Sequence, residues 1–160
     1  MSDFEPVDIL EIAIRIEENG SGFYRFAVQI AQDEETKHIF AYLADEEERH
    51  KTVFKEMLSK VEKHKMPESY PGEYGAYLRD YVDSNIIFTE KTMYSELPDV
   101  KDTLSAINFA IRRELDSILY YHEIKRFLSQ SQQDFIDKII DEERGHFEKL
   151  SAIKKRHKKI

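Results

Sequence analysis

Residues 40–50 read FAYLADEEERH and residues 136–146 read IDKIIDEERGH. Offset by 96 positions, the two stretches place an apolar residue, a second apolar residue, a Glu and a His at the same steps: Phe40, Leu43, Glu47, His50 and Ile136, Ile139, Glu143, His146. Steps of three and four select one face of an α-helix. Both stripes continue, through Phe54, Met57 and Val61 in the first copy and Leu150, Ile153 and His157 in the second. Upstream of each lies a further stripe with a single Glu at its centre. One holds Leu10, Ala13, Glu17, Gly20, Tyr24, Ala27 and Ala31. The other, 97 positions on, holds Ile107, Ala110, Glu114, Ser117, Tyr121, Ile124 and Leu128. Four helices are therefore expected, as two hairpins of which the second is a near copy of the first. Such a repeat implies a pseudo-two-fold axis through whatever lies between them.

Punctuation along the chain gives the expected boundaries. Pro6 suits a first helical turn and opens a helix over about 6–32. Asp33 reads as the N-cap of a second, over 34–65, with Glu34 and Glu35 in its first turn. A third spans 102–128. Ser131 with Asp134 resembles a capping box for a fourth, 132–158, whose basic end KKRHKK suits a helix C-terminus. The crossover, 66–101, contains three of the four prolines. Within it Tyr74, Tyr77, Leu78, Tyr81 and Val82 have the spacing of a short amphipathic helix. The expected fold is all-α: one domain, 1–160, built as two antiparallel hairpins joined by a long crossover, the ferritin-like connectivity of a four-helix bundle.

Composition excludes several alternatives. With 41% apolar and 35% charged residues the chain is neither a disordered tail nor a membrane protein. Five Gly and four Pro are too few for a sandwich or barrel of many short strands. A net charge of −8 is the wrong sign for a nucleic-acid binder. The absence of cysteine removes disulfides, zinc ribbons and thiolate nucleophiles. MSDFEPVDI has neither the basic nor the apolar region of a signal peptide, and no 18 apolar residues run together, so a cytoplasmic location is expected.

The chemistry lies where the stripes are interrupted. Four carboxylates and two imidazoles meet at one level of an apolar core, and no Lys or Arg lies on the stripes at that level. Unpaired buried carboxylates are costly, and four facing one another cannot all ionise, so raised pKa values are expected without metal. Two divalent cations would balance four negative charges, and a Glu-x-x-His step puts both ligands on one helix face. Oxygen-rich ligation with one imidazole per ion suits iron or manganese. Glu-x-x-His occurs three times, but Glu35 with His38 falls off its stripe and reads as surface. His64, His122 and His157 have no core carboxylate at suitable spacing and receive no role.

The motifs IEENGSGFY (16–24), ADEEERH (44–50), AIRRELDSILYY (110–121) and IDEERGH (140–146) resemble the rubrerythrin-type branch of the ferritin-like di-iron carboxylate proteins. The resemblance implies two iron ions, Glu17 and His50 serving one, Glu114 and His146 the other, with Glu47 and Glu143 bridging. Glu18 and Glu142, each about 100° off its stripe centre, are not chosen. Typical relatives carry a four-cysteine rubredoxin-like domain, which a chain without cysteine lacks. They also have an extra Glu three residues after the helix-three ligand, where this chain has Ser117. The remaining six-ligand set is also that of bacterioferritins and, broadly, manganese catalases.

Tyr24 and Tyr121 lie seven residues beyond Glu17 and Glu114 on the same faces. They are expected to hydrogen-bond ligand carboxylates of the opposite hairpin and hold their orientation. Gly20 and Ser117 leave room for a small oxidant or allow close packing. Asp45 and Asp141 point off the stripe and read as surface or interface charges. A second apolar stripe on helix one, Ile9, Ile12, Ile16, Phe23, Phe26 and Ile30, makes a face wider than a four-helix core needs, expected to bury against the crossover or a second subunit, with a homodimer the expected oligomer. The expected function is reduction of hydrogen peroxide or dioxygen with an external electron donor. The alternatives are ferroxidase and iron storage, or a di-manganese site.

Overall fold

The computed structural model describes residues 6–61 and 97–158. Among these residues there is no strand, and four long helices dominate: α1 (Pro6–Ile30), α2 (Glu34–Ser59), α3 (Thr103–Lys125) and α4 (Gln130–Lys158). A single 3₁₀ turn, Leu97–Asp99, precedes α3. No described helix is long and apolar enough to cross a membrane.

Each boundary has a local cause. Asp33 caps α2 by accepting the Thr36 N–H at 2.9 Å. Asp102 and Ser105 form a reciprocal capping box at α3. Two expectations need correction. The second helix ends at Ser59 and not at 65, closing with Lys60 N–H on the Met57 carbonyl; positions 62–65 lie outside the described residues. The box that opens α4 is Ser129 with Gln132, two residues before the expected pair. Ser129 Oγ accepts the Gln132 N–H, the Gln132 side-chain oxygen accepts the Ser129 N–H, and Gln133 covers the Leu128 carbonyl. The expected short helix at Tyr74–Val82 also lies outside the described residues.

The stripes all point inward. Every stripe residue from Leu10 to Ala31, Phe40 to Met57, Ile107 to Leu128 and Ile136 to Ile153 is buried, while Val61 and His157 at the stripe ends are half-buried. Packing is most extensive within each hairpin, and α1 also meets α3 while α2 meets α4. The core consists of two apolar clusters. One gathers Leu10, Ala13, Phe54, Tyr121, Ile136 and Ile139 among others; the second gathers Tyr24, Ala27, Phe40, Leu43, Ile107 and Leu150. The Glu and His residues lie along each stripe between these two clusters, in surroundings that raise the cost of any unmatched charge. Of the second stripe on α1, Ile9, Ile16 and Phe23 are buried within the chain's own core. Gln32 N–H bonds Thr103 Oγ1 and His157 lies 3.1 Å from Asp33, tying the two hairpins together at one end.

Candidate metal centre

Glu17, Glu47, His50, Glu114, Glu143 and His146 are all buried, none more than 2% exposed. They form two overlapping groups. Glu17, Glu47, His50 and Glu143 can each turn a ligand atom to within 4.8 Å of the others, and so can Glu47, Glu114, Glu143 and His146. Glu47 and Glu143 belong to both.

The atoms facing the centre are Nδ1 of both imidazoles. Glu143 spans them, with Oε1 3.1 Å from His50 Nδ1 and Oε2 3.0 Å from His146 Nδ1. Three further carboxylate oxygens point the same way and have no hydrogen-bond partner: Glu17 Oε2, 3.6 Å from His50 Nδ1, and Glu47 Oε1 and Glu114 Oε2, each 3.8 Å from His146 Nδ1. Buried carboxylate oxygens are normally satisfied. Three orphans converging with two imidazole nitrogens form the donor set of a hard or borderline divalent cation, and the residues therefore fit bound metal.

The outer atoms of the same residues are held. Tyr24 donates its hydroxyl to Glu114 Oε1 and Tyr121 donates to Glu17 Oε1, each across to the opposite hairpin. Burial first, then the adjacent carboxylate, raises both phenol pKa values well above the ordinary range, so both remain donors. His50 Nε2 lies 2.8 Å from Glu142 Oε2, and His146 Nε2 lies 3.8 Å from Glu46 Oε2. Glu46 and Glu142 are themselves 96 positions apart, and Arg49 joins them at 2.9 and 2.7 Å. A carboxylate on the far nitrogen fixes the tautomer that presents Nδ1 to a metal.

Charge balance differs from the sequence expectation. Arg113 is 2% exposed, and its Nη2 donates to Glu47 Oε2 at 2.7 Å. The guanidinium thus supplies the buried cation that the stripes lack. Burial opposes its charge, but Glu47 and Glu114 hold the pKa above the usual value. Two of the carboxylates shift in opposite directions. Glu47 is raised well above the ordinary value by burial and by Glu17. Glu114 is lowered: burial and Glu47 push it up, but the proximity of Glu143 and His146 and the latter's charge outweigh them. Burial also opposes charge on His146, yet the neighbouring Glu114 and Glu143 push its pKa up to about 11. His50 is raised in the same way by Glu17 and Glu143 against burial.

Arg113, Glu142 and Glu46 were not selected from the sequence. All three sit one position before a stripe Glu, and each reaches inward by the length of its side chain. The recurring Glu-Glu pair at 46–47 and 142–143 was the available signal for two of them. Glu18, Asp45, Asp141, Glu35 and His38 are exposed, and Glu35 pairs with Arg156 at 2.7 Å.

No curated protein sequence matches the chain. Among solved structures, a Thermotoga maritima protein provisionally described as a ferritin-like diiron-carboxylate protein shares 27% identity with a TM-score of 0.64, over 97% of each chain. A hypothetical protein from Pyrococcus furiosus shares the fold at 22% identity and a TM-score of 0.66, over 97% of this chain and 91% of the other. The Rubrerythrin family model matches residues 8–154, nearly the whole chain. With a four-helix fold and a buried Glu/His cluster at its centre, the chain belongs to the rubrerythrin family.

Proposed function

We propose that the chain is a di-iron carboxylate oxidoreductase that reduces hydrogen peroxide, or uses dioxygen, with electrons from an external donor. The observation that carries this reading is the convergence of three unpartnered carboxylate oxygens and both Glu143 oxygens on two imidazole nitrogens. Glu17, His50 and Glu143 would hold one ion and Glu114, His146 and Glu143 the other, with Glu47 beside both; manganese is the alternative metal. A pair of redox-active ions, when bound, supplies the two electrons that cleavage of an oxygen–oxygen bond consumes.

The chain's own residues hold the geometry for that chemistry. Tyr24 and Tyr121 fix the outer oxygens of Glu114 and Glu17, leaving the inner oxygens free to coordinate. Glu142 holds the far nitrogen of His50. The apolar clusters limit access of water. Stopped-flow absorbance of reduced, iron-loaded protein mixed with peroxide and, separately, with dioxygen tests the reading. Rapid oxidation by peroxide followed by repeated turnover on re-reduction is expected. Oxidation by dioxygen that deposits iron inside a many-subunit shell would favour storage instead.

A further inference from the structure

The two halves of the centre match at every ligand and differ beside them. At the offset of 97 that relates α1 to α3, Ile16 corresponds to Arg113 and Gly20 to Ser117. The Arg113 guanidinium lies against α1, with Nη2 3.4 Å from the Ile16 carbonyl and its carbon 5.7 Å from the centre of the Tyr24 ring. Only a glycine at position 20 leaves space for it. A Cβ there would fall 1.8 Å from Nη2 and 2.5 Å from both the guanidinium carbon and Glu47 Oε2.

This contact separates Glu47 from its counterpart Glu143. Both Glu143 oxygens turn inward, one to each imidazole. Glu47 Oε2 is bound by Arg113, and only Oε1 remains unpartnered, 3.8 Å from His146 Nδ1. The geometry points to Arg113 as a positioning residue that holds Glu47 Oε2 away from the metals, so that Glu47 would offer them one oxygen where Glu143 offers two and the two metal positions would be unequal. Glu47 keeps one unpartnered oxygen for the centre it shares with both groups, where Glu143 offers two. The guanidinium also adds a fixed positive charge, which opposes both divalent ions and acts most on the one nearer to it; it lies against Tyr24, the partner of Glu114. The inference rests on the metal-centre reading above.

The test is anaerobic calorimetric titration of the metal-free protein with Mn(II) alone and with Fe(II) alone. Wild type should take up two ions per chain in two steps whose dissociation constants differ by about tenfold or more. Arg113→Met should bring the steps together and tighten the weaker by about tenfold. Gly20→Ala, which displaces the guanidinium without removing it, should shift the steps in the same direction and so guards against a folding defect peculiar to Arg113→Met. In the Mn(II)-loaded protein, the electron paramagnetic resonance spectrum at one equivalent should show a mononuclear ion in wild type and a mixture with coupled pairs in the variants. Two indistinguishable steps in wild type, or steps as far apart in both variants as in wild type, would overturn the inference while leaving the metal centre standing. Failure to bind either metal would overturn the metal-centre reading and the inference with it.

Discussion

The first hairpin, α1 with α2, and the second, α3 with α4, present the same chemistry from opposite sides. Each supplies a Glu, a Glu-x-x-His and a Tyr that crosses to the other hairpin's carboxylate. They diverge just beside the stripe, where the second hairpin has Arg113 and the first has Ile16. In consequence Glu143 spans two imidazoles and Glu47 is tied to a buried cation. The ligands repeat because helical spacing dictates where an inward-facing donor can stand. The residues beside them are under no such constraint, and they set the charge of the site.

The sharpest way to break the comparison is to remove the two central carboxylates in turn. Glu143→Ala should abolish uptake of a metal pair, because it takes an oxygen from both positions. Glu47→Ala should cost about ten- to a hundredfold in affinity and leave one ion bound. Metal titration of the two variants distinguishes the cases, and equal losses would restore Glu47 as an equivalent bridge. Next come the tyrosines. Tyr24→Phe and Tyr121→Phe should each leave metal bound and slow turnover by about tenfold or more, since each frees the outer oxygen of one Glu. Steady-state rates beside metal content provide the check. The smallest loss is expected at the rim: Glu142→Gln should weaken metal binding by about tenfold, and Glu46→Gln by less, because 2.8 Å at His50 is a hydrogen bond and 3.8 Å at His146 is not.

How much of this could be read from the chain follows the same division. The four helices, their inward faces and the six clustered residues all lie on stripes with steps of three and four, and that periodicity is visible without any structure. Arg113 and Glu142 each sit about 100° from a stripe centre, where a short side chain would face solvent. Their length carries the charged end inward, and spacing alone does not encode length. Gly20 is legible as small, but the reason it must be small is a guanidinium from another helix. At α4 two overlapping polar pairs could cap the helix. The earlier one is used, and Gln133 covers the Leu128 carbonyl beside it.

The charge balance also makes a pH prediction for metal-free protein. An unfolded His titrates near about 6.5. In the fold, burial disfavours the charged His146, but its carboxylate partners hold the pKa at about 11. A raised folded pKa contributes stability that is fully present below about 6.5 and is lost as pH rises toward about 11. Glu47, also raised, acts with the same sign from the ordinary carboxylate range upward. Glu114, lowered, contributes stability above the ordinary Glu value that is lost as pH falls. The melting temperature of metal-free protein should therefore fall steadily from pH 7 to pH 10. Metal-loaded protein should not follow, because metal on Nδ1 replaces the proton. Parallel curves for the two forms would show that the imidazoles do not face the metals.

The central claim is that the buried Glu/His cluster is a two-metal site. The most direct test is metal content per chain after anaerobic loading with Fe(II) and removal of free ion by gel filtration, for wild type and Glu143→Ala together. The account predicts two ions per chain in wild type and loss of the pair in the variant. Wild type that retains no metal, or a Glu143→Ala protein that still carries two ions, would contradict it.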